Sequence, residues 1–219
     1  TRDAEEFYVP GKKMDELPKI NNAFLLVKNG IIIDFGNMEN IPKKLQNTEV
    51  VDLSNSFVMP TWCDAHTHSV FAGNRSNEYL MRLQGLTYKQ IADGGGGILK
   101  TTQEIKNISE EELYSISLKR IIKMIQNGSG GIEIKSGYGL TYESELKILS
   151  VIKKLKDNLP IEIKSTFLGA HAYPKELTKK EYLNLILNKM IPDFTNKKLV
   201  DYVDIFCEKN YFSHEDTKI

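Results

Sequence analysis

Short β-favouring runs with no helical period between them fill the first sixty residues, and from Ser76 onward a helical period alternates with short strands. Residues 23–28 and 31–35 form two apolar runs joined by Asn29-Gly30. That dipeptide suits a type I′ hairpin turn, whose two central residues both sit at positive φ. Residues 50–53 and 57–59 continue the β pattern after Pro42-Lys43-Lys44, so a small sheet is expected before Pro60. It supplies about half of what a stable layer needs, and so calls for strands from elsewhere. Residues 1–20 are polar and mixed, and are expected to be extended or poorly ordered.

The segment 57–75 marks the change of pattern. An apolar run climbs through Trp62 and Cys63 and ends in an alternating Asp64, His66, His68. Residues 78–83 and 87–93 read as short helices, broken by Gly94-Gly95-Gly96-Gly97. No Lys-Ser/Thr follows those glycines, so they read as a permissive loop beside a site and not as a phosphate cradle. Ser109 with Glu112 predicts a capping box, and Leu113, Ile116, Ile121 and Met124 carry the helical period to Gly128. Residues 132–136 alternate as a strand that ends in Gly137-Tyr138-Gly139. Thr141 then caps a helix over 142–157.

Residues 161–165 repeat the five letters of 132–136 at an interval of 29 and run on to Gly169-Ala170-His171. One strand–helix unit takes about thirty residues. Thr178 with Glu181 opens a helix to about Met190, residues 203–206 make a fourth strand ending at Cys207-Glu208, and Ser213 with Asp216 starts a last helix. Alternating strand and helix predict an α/β fold with a parallel sheet. Polar residues at successive strand ends favour a (β/α)8 TIM barrel, whose chemistry sits at that mouth. About four of the eight strands are present. The expectation is therefore an incomplete barrel: residues 1–59 as the N-terminal portion of a small β-sandwich domain, and 60–219 as the N-terminal half of a barrel truncated at Ile219.

The candidate chemistry lies at those strand ends. His66 and His68 share one strand face with about 6.5–7 Å between their Cα atoms, so both imidazoles can converge on one cation while Thr67 points away. The same pair can also simply face solvent. Arg75 offers a guanidinium fork for a carboxylate, or an ion pair with Glu78 one helical turn on. Glu133 shares a face with Lys135, which favours an internal ion pair. Cys207-Glu208 is the alternative place for a second ion.

Charge removes whole classes of partner. Lysine plus arginine equals aspartate plus glutamate at 29 each. No basic surplus is left for nucleic acid or an anionic membrane. Partners narrow to a small-molecule substrate or another copy of the chain, as a homodimer. Two cysteines without a Cys-X-X-Cys pair do not make a disulfide framework, and a reducing cytoplasm fits them.

Six segments carry a resemblance: Asp64-Ala65-His66-Thr67-His68, Phe71-Ala72-Gly73-Asn74-Arg75, Arg82-Leu83-Gln84-Gly85, Gly95-Gly96-Gly97-Ile98, the run from Glu133 to Leu140 and the run from Ser165 to Ala172. In order and spacing the chain resembles the imidazolonepropionase family of the amidohydrolase superfamily of metal-dependent hydrolases. The family pattern departs at Thr61-Trp62-Cys63 and at Gly130-Gly131. The resemblance implies metal ligands at His66 and His68, with zinc or iron as the ion. It implies substrate contacts from Arg75, Tyr138 and His171. The reaction implied is ring opening of 4-imidazolone-5-propanoate (imidazolone propionate) to N-formimino-L-glutamate in histidine degradation, with metal-activated water. The alternatives are another amidohydrolase acting on a cyclic amide or purine, and a non-catalytic metal-binding fragment. No catalytic acid or base is assigned, and the fragment alone is expected to be inactive.

Overall fold

The computed structural model describes residues 11–15, 19–43, 48–87, 90–91, 94–209 and 211–219 of the 219-residue chain. The chain divides into two compact units, Thr1–Pro60 and Thr61–Ile219. In the first, β1 (Ala23–Lys28) pairs antiparallel with β2 (Ile31–Asn37). The turn between them places Asn29 at φ 52° and Gly30 at φ 77°, the pair of positive values that the dipeptide predicts.

The strands expected at 50–53 and 57–59 are not formed. Those residues are irregular and exposed, and the sheet has two strands. A β-favouring run becomes a strand only where a neighbour completes its hydrogen bonds, and among the described residues none does. Of the polar N-terminal stretch, Gly11–Asp15 is a short 3-10 turn, and residues 1–10 and 16–18 lie outside the described residues.

The second unit is α/β. Four strands, β3 (Trp62–Thr67), β4 (Ser129–Lys135), β5 (Glu162–Ala170) and β6 (Tyr202–Ile205), lie in sequence order and are all parallel. This is half the strand number of a (β/α)8 barrel, with helices in the connections. After β3 come α1 (Ser76–Leu83), α2 (Ile98–Asn107) and α3 (Glu110–Gln126); α4 (Tyr142–Asn158) links β4 to β5.

Helix α2 was not anticipated from sequence. It starts from Gly97 at φ 71° with no side-chain cap and carries Thr101 and Thr102, so both start signal and propensity are weak. Burial of Thr101 and Ile105 holds it instead. The helix expected over 87–93 falls partly outside the described residues. Between β5 and β6, α5 (Lys179–Leu185) passes through a π turn at Ile186–Met190 into α6 (Ile191–Asn196). Pro192, in the first turn of α6, has no N–H to give, and the widened turn accommodates it. Helix α7 (His214–Lys218) follows β6.

The predicted caps form at Thr178 and Ser213 as full capping boxes, and Thr141 accepts from the Ser144 N–H. Ser109 accepts from the Glu112 N–H, which is one half of its expected box.

The core lies between sheet and helices. Ile132, Ile134, Ile163 and Phe167 from the strands meet Leu113 and Ile121 of α3, Ile148, Leu149 and Ile152 of α4, and Tyr182 and Phe194 beyond. The other sheet face carries the polar set Glu133, Lys135, Thr166 and Asp204. A side chain at Gly130 would fall inside that of Thr61, so the departures at Thr61-Trp62-Cys63 and Gly130-Gly131 fit together across neighbouring strands.

Candidate active site at the strand ends

The far side of the β3 end is pinned to its surroundings. Thr67 Oγ1 donates to the Glu133 carbonyl at 2.8 Å, and Ser69 Oγ donates to Thr67 Oγ1 at 2.9 Å. The Arg120 guanidinium donates to the carbonyls of Ser69 (3.2 Å) and Phe71 (2.7 Å) and lies 3.7 Å from the centre of the Phe71 ring. With Thr67 committed to the neighbouring strand, alternation turns His66 and His68 to the opposite face.

On that face four aromatic rings meet. The centroids of His66 and His68 are 6.1 Å apart, and His68 lies 4.9 Å from Tyr138 and 5.1 Å from His171. Tyr138 and His171 are 5.6 Å apart, and Phe206 closes on His171 edge-on at 5.6 Å. Arg75, Tyr138 and His171 line one cavity of about 500 Å³, with Phe206 and Tyr211 among its walls. Such a volume suits a small organic molecule. Arg75 is exposed at the cavity rim, and its charge reaches His171. His66 and His68 are not among the lining residues; His68 joins the cavity through its ring contacts with Tyr138 and His171.

The His68 and His171 rings are held neutral. Burial, then the charges of His171, His66 and Lys135, bring the His68 pKa down to about 4. Burial also lowers that of His171, and the Arg75 charge adds to the effect. His171 Nδ1 lies 3.2 Å from the Gly137 carbonyl. A carbonyl only accepts, so Nδ1 carries the proton and the neutral ring keeps its lone pair on Nε2.

Whether the pair suits a metal can be tested on its geometry. A nitrogen about 2.0–2.1 Å from zinc puts its ring centroid about 3.2 Å away, so two rings on one tetrahedral ion lie about 5 Å apart. The His66 and His68 centroids, 6.1 Å apart, are wider than that and would have to close by about 1 Å on a shared ion. His68 Nδ1 is buried without a hydrogen-bond partner among the described residues, as a nitrogen reserved for a ligand would be. By donor chemistry, two imidazoles on one strand face with one nitrogen unpartnered suit zinc or iron. Among the described residues no group of three or more metal-binding side chains forms. At the Cys207 end, the thiol lies 3.8 Å from His214 Nδ1.

Comparison with known proteins decides the kinship. The chain is 50% identical over 212 residues to an imidazolonepropionase of Flavobacterium johnsoniae, covering 96% of this chain and 51% of that protein. It is 49% identical to one of Christiangramia forsetii over 218 residues (99% and 53%), and 42% identical to one of Clostridium tetani over 212 residues (95% and 51%). The chain is an imidazolonepropionase homologue. It spans about half the length of the curated relatives it matches. No family model matches it.

Around the residues singled out from sequence, the homologue carries others that the motifs did not flag. Glu78 is buried and accepts the Gly97 N–H at 2.9 Å, which ties the glycine loop to α1. Lys135 pairs with Glu133 at 2.8 Å, as their shared strand face predicts, and also with Asp204 at 3.0 Å, which only the β6 position reveals. Glu145 is fully buried behind Tyr138. Its signal was in the sequence: helical spacing sets it on the same stripe as Ile148, Leu149 and Ile152, where a carboxylate is out of place. No described helix is long and apolar enough to cross a membrane.

Proposed function

We propose that the protein acts as an imidazolonepropionase, hydrolysing a ring amide of 4-imidazolone-5-propanoate to N-formimino-L-glutamate. One observation carries the reading: in a homologue of these enzymes, Arg75, Tyr138 and His171 line a single cavity, and the His68 ring stacks on His171 and lies tilted against Tyr138. His66 and His68 would hold the ion. Zinc or iron, when bound, polarises a carbonyl and makes hydroxide available near neutral pH.

The chain's own residues bind and orient. The Arg75 fork takes the propionate carboxylate in a bidentate grip that lysine would not reproduce. Tyr138 and His171 flank the ring, and Nε2 of neutral His171 is free to accept a ring N–H. Water adds across the amide, the carbon–nitrogen bond breaks, and the product carries one more carboxylate than the substrate. A neutral purine has no group for Arg75, which disfavours that alternative.

In this reading the unit Thr1–Pro60 is part of a small β-sandwich domain, the unit Thr61–Ile219 is the N-terminal half of the barrel, and the enzyme is cytoplasmic. The 219-residue chain by itself would give no turnover, because two imidazoles leave an ion short of ligands. The test is an assay of substrate loss with metal analysis on the same sample, run on the full-length protein and on the 219-residue chain. Activity in the first and none in the second is expected. A metal-loaded full-length protein that leaves the substrate intact would overturn the activity, and turnover by the short chain would overturn the requirement for more ligands.

A further inference from the structure

Three backbone N–H groups around Tyr138 end on one carboxylate. Glu145, in the first turn of α4, accepts from Gly137 at 3.1 Å through Oε2, and from Gly139 (2.6 Å) and Leu140 (3.2 Å) through Oε1. The Ser136 hydroxyl bonds to the same carboxylate and accepts the Leu168 N–H at 3.1 Å, which fastens the end of β4 to β5.

The loop so held is not a relaxed one. Gly137 stands at φ 104° and Leu140 at φ 55°, and a leucine keeps a left-handed backbone only where its surroundings over-determine it. A side chain at Gly139 would come within 2.5 Å of the Glu145 backbone nitrogen, so loop and helix start are fitted to each other. Gly137 is gripped from both sides, its N–H by Glu145 and its carbonyl by His171 Nδ1.

We propose that Glu145 is the positioning residue of this cavity: by fixing the peptide groups on either side of Tyr138 it sets where that phenol stands and which nitrogen of His171 carries the proton. The inference rests on the reading that Tyr138 and His171 touch the substrate. A carboxylate that merely capped α4 would alter stability and leave His171 unchanged. One that positions the loop alters His171 and substrate binding together.

The test is Glu145→Gln in the full-length, metal-loaded protein. The amide keeps the shape but turns one acceptor into a donor facing backbone N–H groups. At fixed pH, ¹⁵N spectra of His171, assigned with His171→Asn, should show the Nδ1–H tautomer in the parent and its loss in the variant. KM should rise about tenfold, with kcat within about twofold and metal content unchanged. A folded variant that keeps both the His171 tautomer and the parent KM overturns the proposal. If instead the tautomer changes while Tyr138→Phe and His171→Asn leave KM alone, the positioning stands and the substrate-contact reading falls. Should Glu145→Gln not fold, amide exchange in the parent decides. Protection at Gly139 and Leu140 matching the interior of α4 supports the proposal, and exchange at open-loop rates overturns it.

Discussion

The His68 ring stacks on that of His171 with centroids 5.1 Å apart and planes 16° from parallel. Both rings have lowered pKa values in the folded chain, His68 from 6.5 to about 4, with burial the leading cause and the charge of one on the other adding to it for His68. Between those values the unfolded chain binds more protons than the native one, so folding stability rises with pH. The contribution is complete above pH 6.5 and is lost as pH falls toward 4. In the metal-free protein the urea midpoint should drop across that window, and His68→Asn should flatten the slope. A parent midpoint that stays level would contradict the buried, neutral pair.

Arg75 stands at the rim of the cavity that Tyr138 and His171 line. Loss of a charged hydrogen-bonding fork on a carboxylate should raise KM between about tenfold and a hundredfold in Arg75→Ala. Arg75→Lys should recover little of it, since an ammonium does not match the carboxylate bidentately. Metal content should be unchanged in both variants. An unaltered KM would remove Arg75 from the site.

Lys135 sits buried between Glu133 and Asp204 at 2.8 and 3.0 Å. Burial works against its charge, and the bonds to the two carboxylates raise its pKa nonetheless. Lys135→Met would leave two carboxylates facing each other. Because the Asp204 side chain is 42% exposed, water relieves part of the penalty, and a loss of about 1–3 kcal/mol is expected. Adding Glu133→Gln should restore part of that loss in a double-mutant cycle. Equal destabilisation by Lys135→Met in both backgrounds would mean that the pair is not coupled.

Gly137 and Gly85 provide a controlled pair. Both have left-handed backbones, at φ 104° and 89°. A side chain at Gly137 would come within 2.5 Å of the Leu168 carbonyl and 2.9 Å of His171 Cβ, whereas nothing lies within 4 Å at Gly85. Each alanine pays for backbone strain of roughly 1–3 kcal/mol, and only Gly137→Ala adds a clash. Thermal unfolding should show Gly137→Ala as the costlier change, with weaker substrate binding as well. Equal shifts in Tm would mean that the loop yields easily.

What the sequence reveals follows from how local each signal is. The Asn29-Gly30 turn, the Thr178 and Ser213 boxes and the four strands of the parallel sheet are written in neighbouring residues, and all appear at or near their expected places. Residues 50–53 and 57–59 have β composition but lack a neighbouring strand, and pairing is not a local property. Helix α2 fails the opposite way: a poor local signal is overridden by the burial of Ile105. At the candidate site, motifs mark His66, His68, Arg75, Tyr138 and His171, and the structure brings the four rings together and sets Arg75 on the cavity that Tyr138 and His171 line. The Asp204 link to Lys135 is not written there, since it depends on a partner on another strand, and Glu145 shows in the sequence only as a carboxylate on an apolar helix stripe, its loop partners coming from the fold.

The twin pentapeptides at 132–136 and 161–165 lie on adjacent strands, yet they do not face one another letter for letter. Ile132 stands beside Ile163 and Glu133 beside Lys164, a slip of two places. Aligned flush, the copies would set acid against acid and base against base along the same ladder, a mismatch that like charges oppose. The slip keeps the isoleucines toward the helices and sets Glu133 beside Lys164 and Lys135 beside Thr166, so that no like charges stand side by side. Duplicated text thus acts as its own proofreader: the only comfortable alignment is the staggered one, and the staggered one lifts Lys135, not Lys164, to the level of the imidazoles.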